Sequence, residues 1–187
     1  MVRLPERTDT ERLMICRLTP DDEPSLAAAV TASLEHLRPW FPWIAFEPVS
    51  PEDRRELLAT WEQEWRDGGD LVCGILIGDE YLGNIGLHRR GASDELMIGY
   101  WLHVDHTGRG YMTEAAAAMT SLAFDQAGIE RVSIHHDRAN VASGAVPRRL
   151  GYTLDEEVNK EIEAPGETGV KYRWRVARDA WATRRCA

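Results

Sequence analysis

Cysteine is scarce. Cys16, Cys73 and Cys186 are odd in number, far apart and without metal-ligand spacing, which excludes a disulfide framework and a cysteine metal site and favours free thiols in a reducing compartment. Cys16 and Cys73 fall in apolar strand-like runs, where a small core residue is the ordinary reading. No apolar run is long enough to cross a bilayer, and residues 1–7 have no apolar segment behind their charges. Neither a membrane span nor a signal peptide is expected, and a cytoplasmic protein is. Positive charge is also short: 22 Lys and Arg against 31 Asp and Glu give a formal net charge of −9. Generic nucleic-acid binding needs phosphate-neutralising surface and is not expected; a cationic acceptor such as an amine or a basic peptide fits better.

Internal repeats, low-complexity tracts and linkers are absent as well. At 187 residues, with 43% hydrophobic and 28% charged content, the chain is long enough for one core and short for two. The expectation is one α/β (α+β) domain over 1–187, with flexible tails at 1–10 and 179–187.

A first strand is expected over 13–18. Thr19 as N-cap and Pro20 at the first helical position then open a helix to about Glu35, burying Leu26, Ala29, Val30 and Leu34. Pro39 and Pro42 break the aromatic segment 37–43, which packs as a loop over the core, as an acceptor-pocket wall, or as a dimer contact. Ser50 and Pro51 start a second helix that stops at Gly68 and Gly69. Strands over 71–77 and 81–87 form a hairpin, in which Gly83 and Gly86 point to close backbone approach or a bulge. A strand over 95–104 leads into a glycine loop and a helix over 108–127. A strand over 129–136, a short helix over 142–150 and a final hairpin over 152–162 and 170–177 complete the chain.

The loop that joins strand 95–104 to its helix carries the most chemical information. Gly108 and Gly110 permit a sharp turn and put no Cβ between backbone N–H groups and a ligand, and Arg109 adds a fixed charge. A helix N-terminus adds unpaired N–H groups and a partial positive charge, so the construction suits a phosphate or pyrophosphate. A mononucleotide loop is disfavoured, because the P-loop Lys-Ser/Thr and the G-x-G-x-x-G fingerprint are both missing.

Three ordered motifs, I-G-Y-W-L at 98–102, G-R-G-Y-x-T-E-A from Gly108 and N-x-x-S-x-x-V-x-x-x-L-G-Y from Asn140, resemble the GNAT acyl-CoA N-acyltransferases. The match is closest to the RimJ/RimL-like branch, which acetylates ribosomal-protein N-termini. The resemblance implies a mixed, mostly antiparallel central sheet with helices on both faces and a V-shaped splay between strands 95–104 and 129–136. It implies acetyl-CoA as donor, without a metal, and a primary amine as acceptor: a protein N-terminus, a lysine or a small molecule. The pantetheine arm is expected at Leu102, His103, Val104 and Asn140. The pyrophosphate is expected over Thr107, Gly108, Arg109, Gly110, Tyr111, Met112 and Thr113, and Ser143 near the sulfur as donor to the departing thiolate. Asn140 and Ser143 also read as simple N-caps, Tyr152 as a core aromatic, and Arg138, Arg148 and Arg149 as either a solvated face or an attraction for the CoA phosphates.

An amine must lose a proton before it attacks a thioester. Many members of this family carry Glu just before I-G-Y; this chain has Met97, and Glu95, on the same strand face, is the nearest substitute. His135 and His136 point to opposite faces, so one of them can reach the cleft. A succinyl-CoA enzyme and a non-catalytic CoA sensor on the same fold remain alternatives, and the aromatics near Trp40 and Trp43 leave a homodimer open.

Overall fold

The computed structural model describes residues 5–185; Cys186 and most of the first seven residues lie outside them. Its eight strands are β1 (Arg7–Asp9), β2 (Met14–Arg17), β3 (Leu71–Ile77), β4 (Glu80–His88), β5 (Glu95–Leu102), β6 (Arg131–Asp137), β7 (Thr153–Asn159) and β8 (Val170–Ala177). They form one sheet in the order β1-β2-β3-β4-β5-β6-β8-β7. Among the described residues only the β5–β6 pair is parallel; the other pairs are antiparallel. The helices are α1 (Glu23–Leu37), α2 (Pro51–Asp67), α3 (Tyr111–Phe124), α4 (Val141–Arg149) and α5 (Arg178–Arg185).

Period-two alternation gives each face of the sheet its own core. On one face Leu96 and Ile98 of β5 pack with Met112, Ala115, Ala116 and Met119 of α3 and with Trp181 of α5. On the other, Trp101 and Tyr81 pack with Leu26, Ala29 and Val30 of α1 and Leu58 of α2. Among the described residues no helix is long and apolar enough to cross a membrane.

The helix starts follow the local chemistry, with two adjustments. Ser50 caps α2, its hydroxyl accepting from Asp53 N–H at 3.1 Å, and Gly68 closes that helix at φ 74°. Thr19 engages the Asp22 carboxylate through its N–H and hydroxyl, but the first turn is 3-10 and α1 begins only at Glu23. Helix α3 covers 111–124 instead of 108–127, because Gly108 and Gly110 hold positive φ (74° and 82°) and belong to the turn.

Among the described residues of the two expected tails, Arg7–Asp9 form β1 and Arg178–Arg185 form α5. β1 pairs with β2 in the register Arg7↔Cys16 to Asp9↔Met14. Trp181 of α5 is 8% exposed, and its indole N–H donates to Ser121 Oγ at 3.1 Å. A single aromatic that can reach the core is enough to dock a short polar helix.

Candidate active site

Parallel pairing of β5 and β6 runs from Glu95↔Arg131 to Ile98↔Ile134 and stops there, while β5 continues to Leu102 and β6 to Asp137. The strands therefore part at Gly99. His103 N–H donates to the Leu82 carbonyl of β4 at 2.6 Å, which fixes the alternation: residues 97, 99, 101 and 103 turn their backbone groups to β4, and Tyr100 and Leu102 turn theirs into the splay.

Beyond Leu102 the chain makes a 3-10 turn, then the glycine loop. The first backbone bond of α3 is Glu114 N–H to Gly110 carbonyl at 3.0 Å, so the amides of Tyr111, Met112 and Thr113 open at the helix mouth. Arg12 braces the loop from outside: it donates to the Arg109 carbonyl (3.1 Å), pairs with Glu114 (2.7 Å) and lies over the Tyr111 ring. Burial opposes ionisation of Glu114, but hydrogen bonds from Thr10 and Arg12 and the Arg12 charge outweigh it, and its carboxyl lies below the usual range.

A groove of about 350 Å³ runs along this loop, lined by Tyr100, Leu102, Thr107, Gly108, Gly110, Tyr111, Met112, Thr113, Asn140, Ser143 and Arg149 together with the 36–41 segment. Nine of the expected site residues meet there. Three do not line it: His103, whose backbone serves β4; Val104, whose N–H donates to Ser33 Oγ at 3.2 Å; and Arg109, whose carbonyl faces Arg12. Tyr100, which sequence reasoning passed over, lines the groove and turns its backbone into the splay, and strand alternation counted back from the loop is the signal that finds it. Of the three arginines, Arg149 lines the groove, while Arg148 lies over Trp174 and Arg138 pairs with Glu157.

Asn140 caps α4, accepting from Ser143 N–H at 3.1 Å, and still faces the groove. Ser143 Oγ donates to Tyr100 Oη (3.2 Å), and Tyr100 donates to the Ser143 carbonyl (3.0 Å). Burial pushes the Tyr100 phenol up, more than the Ser143 hydrogen bond lowers it, so both hydroxyls of this pair are neutral.

Glu95 is not at the cleft. It sits at the opposite end of β5, its side chain 5% exposed, and pairs with Arg175 at 3.0 Å and Arg131 at 3.8 Å. Glu95 shares a strand face with Gly99, but four residues at about 3.3 Å each separate the two. His136 is structural: Nδ1 donates to the Asp137 carbonyl (2.7 Å) and Nε2 accepts from the Trp174 indole (2.9 Å). His135 faces a cavity of about 190 Å³ that continues from the splay between Trp40, Asn140, Lys160, Glu167 and Lys171. Burial and the charges of Lys171 and Arg173 lower its pKa to about 4, which leaves a neutral ring that takes up a proton reluctantly.

On the opposite face, between α1, α2 and the 41–49 segment, lies a third cavity of about 500 Å³ with walls of Phe41, Trp43, Trp61 and Trp101. Four polar side chains reach into it: the buried Glu47–Arg54 pair (2.8 Å), Asn84 and His88. Asn84 is 5% exposed and accepts from Tyr81 Oη at 2.8 Å, which leaves its Nδ2 without a partner. Phe41 and Tyr100 line all three cavities.

The comparisons agree with this geometry. The chain is 29% identical over 144 residues to "Putative ribosomal N-acetyltransferase YdaF" of Bacillus subtilis (strain 168), covering 76% of this chain and 78% of that one. A solved "Probable acetyltransferase" superposes with TM-score 0.85 at 25% identity, covering 94% and 98% of the two chains. The RimL ribosomal L7/L12 alpha-N-protein acetyltransferase in complex with coenzyme A superposes with TM-score 0.83 at 21% identity, over 95% and 98%. The Acetyltransferase (GNAT) domain family matches residues 12–153, a span that contains the splay, the glycine loop and the Asn140–Ser143 cap, and the chain therefore belongs to the GNAT acetyltransferases.

Proposed function

We propose that the protein transfers an acetyl group from acetyl-CoA to the α-amine of a protein or peptide. The observation that carries this reading is the meeting of two cavities from opposite faces of the sheet at Tyr100 and Phe41, where β5 and β6 part. One suits the donor and the other the acceptor.

On the donor side, the open amides of Tyr111, Met112 and Thr113 and the Arg149 guanidinium suit the phosphates. Positive φ at Gly108 and Gly110 lets the backbone approach them. The splay-facing backbone of Tyr100 and Leu102 pairs with the pantetheine amides as an added strand would. A backbone N–H in the splay polarises the thioester carbonyl, and the Ser143–Tyr100 relay hands a proton to the departing thiolate. Acetyl-CoA supplies an activated acyl group; the chain supplies alignment, which alone removes much of the barrier.

The acceptor class rests on the relatives named as ribosomal-protein acetyltransferases and on the concave, aromatic-walled cavity, which takes a chain terminus with its first side chain more readily than a mid-chain lysine. Parallel calorimetric titration with acetyl-CoA, succinyl-CoA and free CoA tests the donor, with acetyl-CoA expected to bind at least as tightly as succinyl-CoA. Thiol release is then followed with peptides carrying either a free α-amine or a blocked one plus lysine. Release only with lysine peptides overturns the acceptor assignment, and binding without release from any amine returns the chain to a CoA sensor.

A further inference from the structure

We propose that His88, oriented by Asp70, is the group that takes the proton from the acceptor amine. The inference rests on the acetyltransferase reading above and adds the base that Glu95 fails to supply. In the β4–β5 register His88 stands directly opposite Met97, two residues before Gly99, and directly paired residues project to the same face. The ring leans from there toward the splay. An added Cβ on Gly86 would lie 2.8 Å from His88 Nε2, and one on Gly99, its cross-strand partner, 3.2 Å away. The two facing glycines thus clear a bed for the imidazole, and Gly99 is the residue at which β5 and β6 part.

His88 Nδ1 lies 2.9 Å from Asp70 Oδ2. Burial raises the cost of charge on Asp70, but the Arg89 N–H, His88 and Arg90 outweigh it and keep its carboxyl below the ordinary range. An ionised Asp70 holds the proton on Nδ1, which leaves Nε2 as a lone-pair acceptor facing the acceptor cavity. The charged groups around the ring are Asp70 and Arg90 beside it and the Glu47–Arg54 pair across the cavity. His135, another imidazole near the splay, is buried beside Lys171, Arg173 and Arg175, which with burial outweigh the Glu95 carboxylate, and gains less from a proton.

The reaction balances as follows. The bound ammonium gives one proton to Nε2; its nitrogen attacks the thioester carbon, forming the C–N bond; the C–S bond breaks; the second nitrogen proton reaches the thiolate through the Ser143–Tyr100 pair. His88 then releases its proton to solvent.

The test is kcat/KM for thiol release against pH with peptide amides bearing a free α-amine. His88→Gln is expected to bind acetyl-CoA within about twofold of wild type, to lose roughly 10²–10⁴-fold in kcat/KM, and to lose the acidic limb of the profile. His88→Ala is expected to regain activity on addition of imidazole. A His88→Gln protein with wild-type kcat/KM and an intact acidic limb overturns the assignment, as does an equal loss of acetyl-CoA binding and activity in a folded protein. If His88→Gln fails to fold by circular dichroism, Asp70→Asn decides: a displaced acidic limb supports the dyad, and an unmoved one overturns it. Wild-type protein that binds acetyl-CoA but releases no thiol with any amine fails the acetyltransferase reading itself, which is a distinct result.

Discussion

Replacing Glu95 with Gln separates a structural carboxylate from a catalytic one. Glu95 contacts Arg175 at 3.0 Å with its side chain 5% exposed, and a second arginine, Arg131, stands 3.8 Å away. At an effective dielectric of about 20, the 3.0 Å pair with Arg175 attracts by roughly 5.5 kcal/mol before desolvation is counted. Removing one partner of a buried pair costs about 3–5 kcal/mol. Two features reduce this: Gln keeps a hydrogen-bond acceptor, and Arg175, 25% exposed, retains Asp155 at 2.6 Å. A loss of about 2 kcal/mol remains, which for a chain of this length lowers Tm by about 4–8 °C. The assay is thermal unfolding followed by circular dichroism, in parallel with thiol release at a temperature where both proteins are folded. The expected result is a lower Tm with kcat within about twofold of wild type. A Glu95→Gln protein with unchanged Tm and a hundredfold lower kcat would refute the reasoning and return Glu95 to the chemistry.

Trp181→Ala should cost about 3–5 kcal/mol and lower Tm, since α5 docks through that ring; an unchanged melting curve would mean that the helix contributes nothing to the fold. Arg149→Ala should weaken acetyl-CoA binding severalfold, and the deficit should shrink as salt rises, because the contact is electrostatic and open to solvent; calorimetry at two ionic strengths checks it. Gly108→Ala meets no atom within 4 Å but must hold φ near 74°, so a penalty of about 1–2 kcal/mol is expected from conformation alone, measured by urea unfolding. Stability should fall as pH drops from about 6.5 toward 4. Unfolded chains protonate His135 near its ordinary value and the folded protein only at about 4, so the unfolded state binds more protons across that window. His36 and His136, also lowered by burial, act in the same direction, and His135→Gln should flatten the decline without abolishing it.

Local signals carried most of the architecture, because they depend on neighbours in sequence. Ser50-Pro51 and Gly68 bound α2 as read, Gly128 lies in the turn that follows α3, and, β1 apart, the strands fall within a few residues of the expected runs. The groove was legible for the same reason: Gly108, Gly110 and the helix start build it from one continuous stretch. What was not legible depends on pairing between strands. Glu95 and Gly99 share a face, and that much is visible in the sequence, but only the β5–β6 register reveals that one lies at the closed end and the other at the opening. That Tyr100 and not His103 turns its backbone into the splay has a similar reason, since the hydrogen bond from His103 to Leu82 in another strand decides which edge faces it. His88 is the extreme case. Nothing in G-L-H-R-R marks it as reactive, and its meaning comes from three separate segments: Asp70 after α2, Gly86 two residues earlier in its own strand, and Gly99 across the sheet. A base assembled that way leaves no motif. A search for it by sequence must therefore ask which polar side chain the antiparallel β4–β5 pairing sets beside Gly99, and that pairing answers with His88.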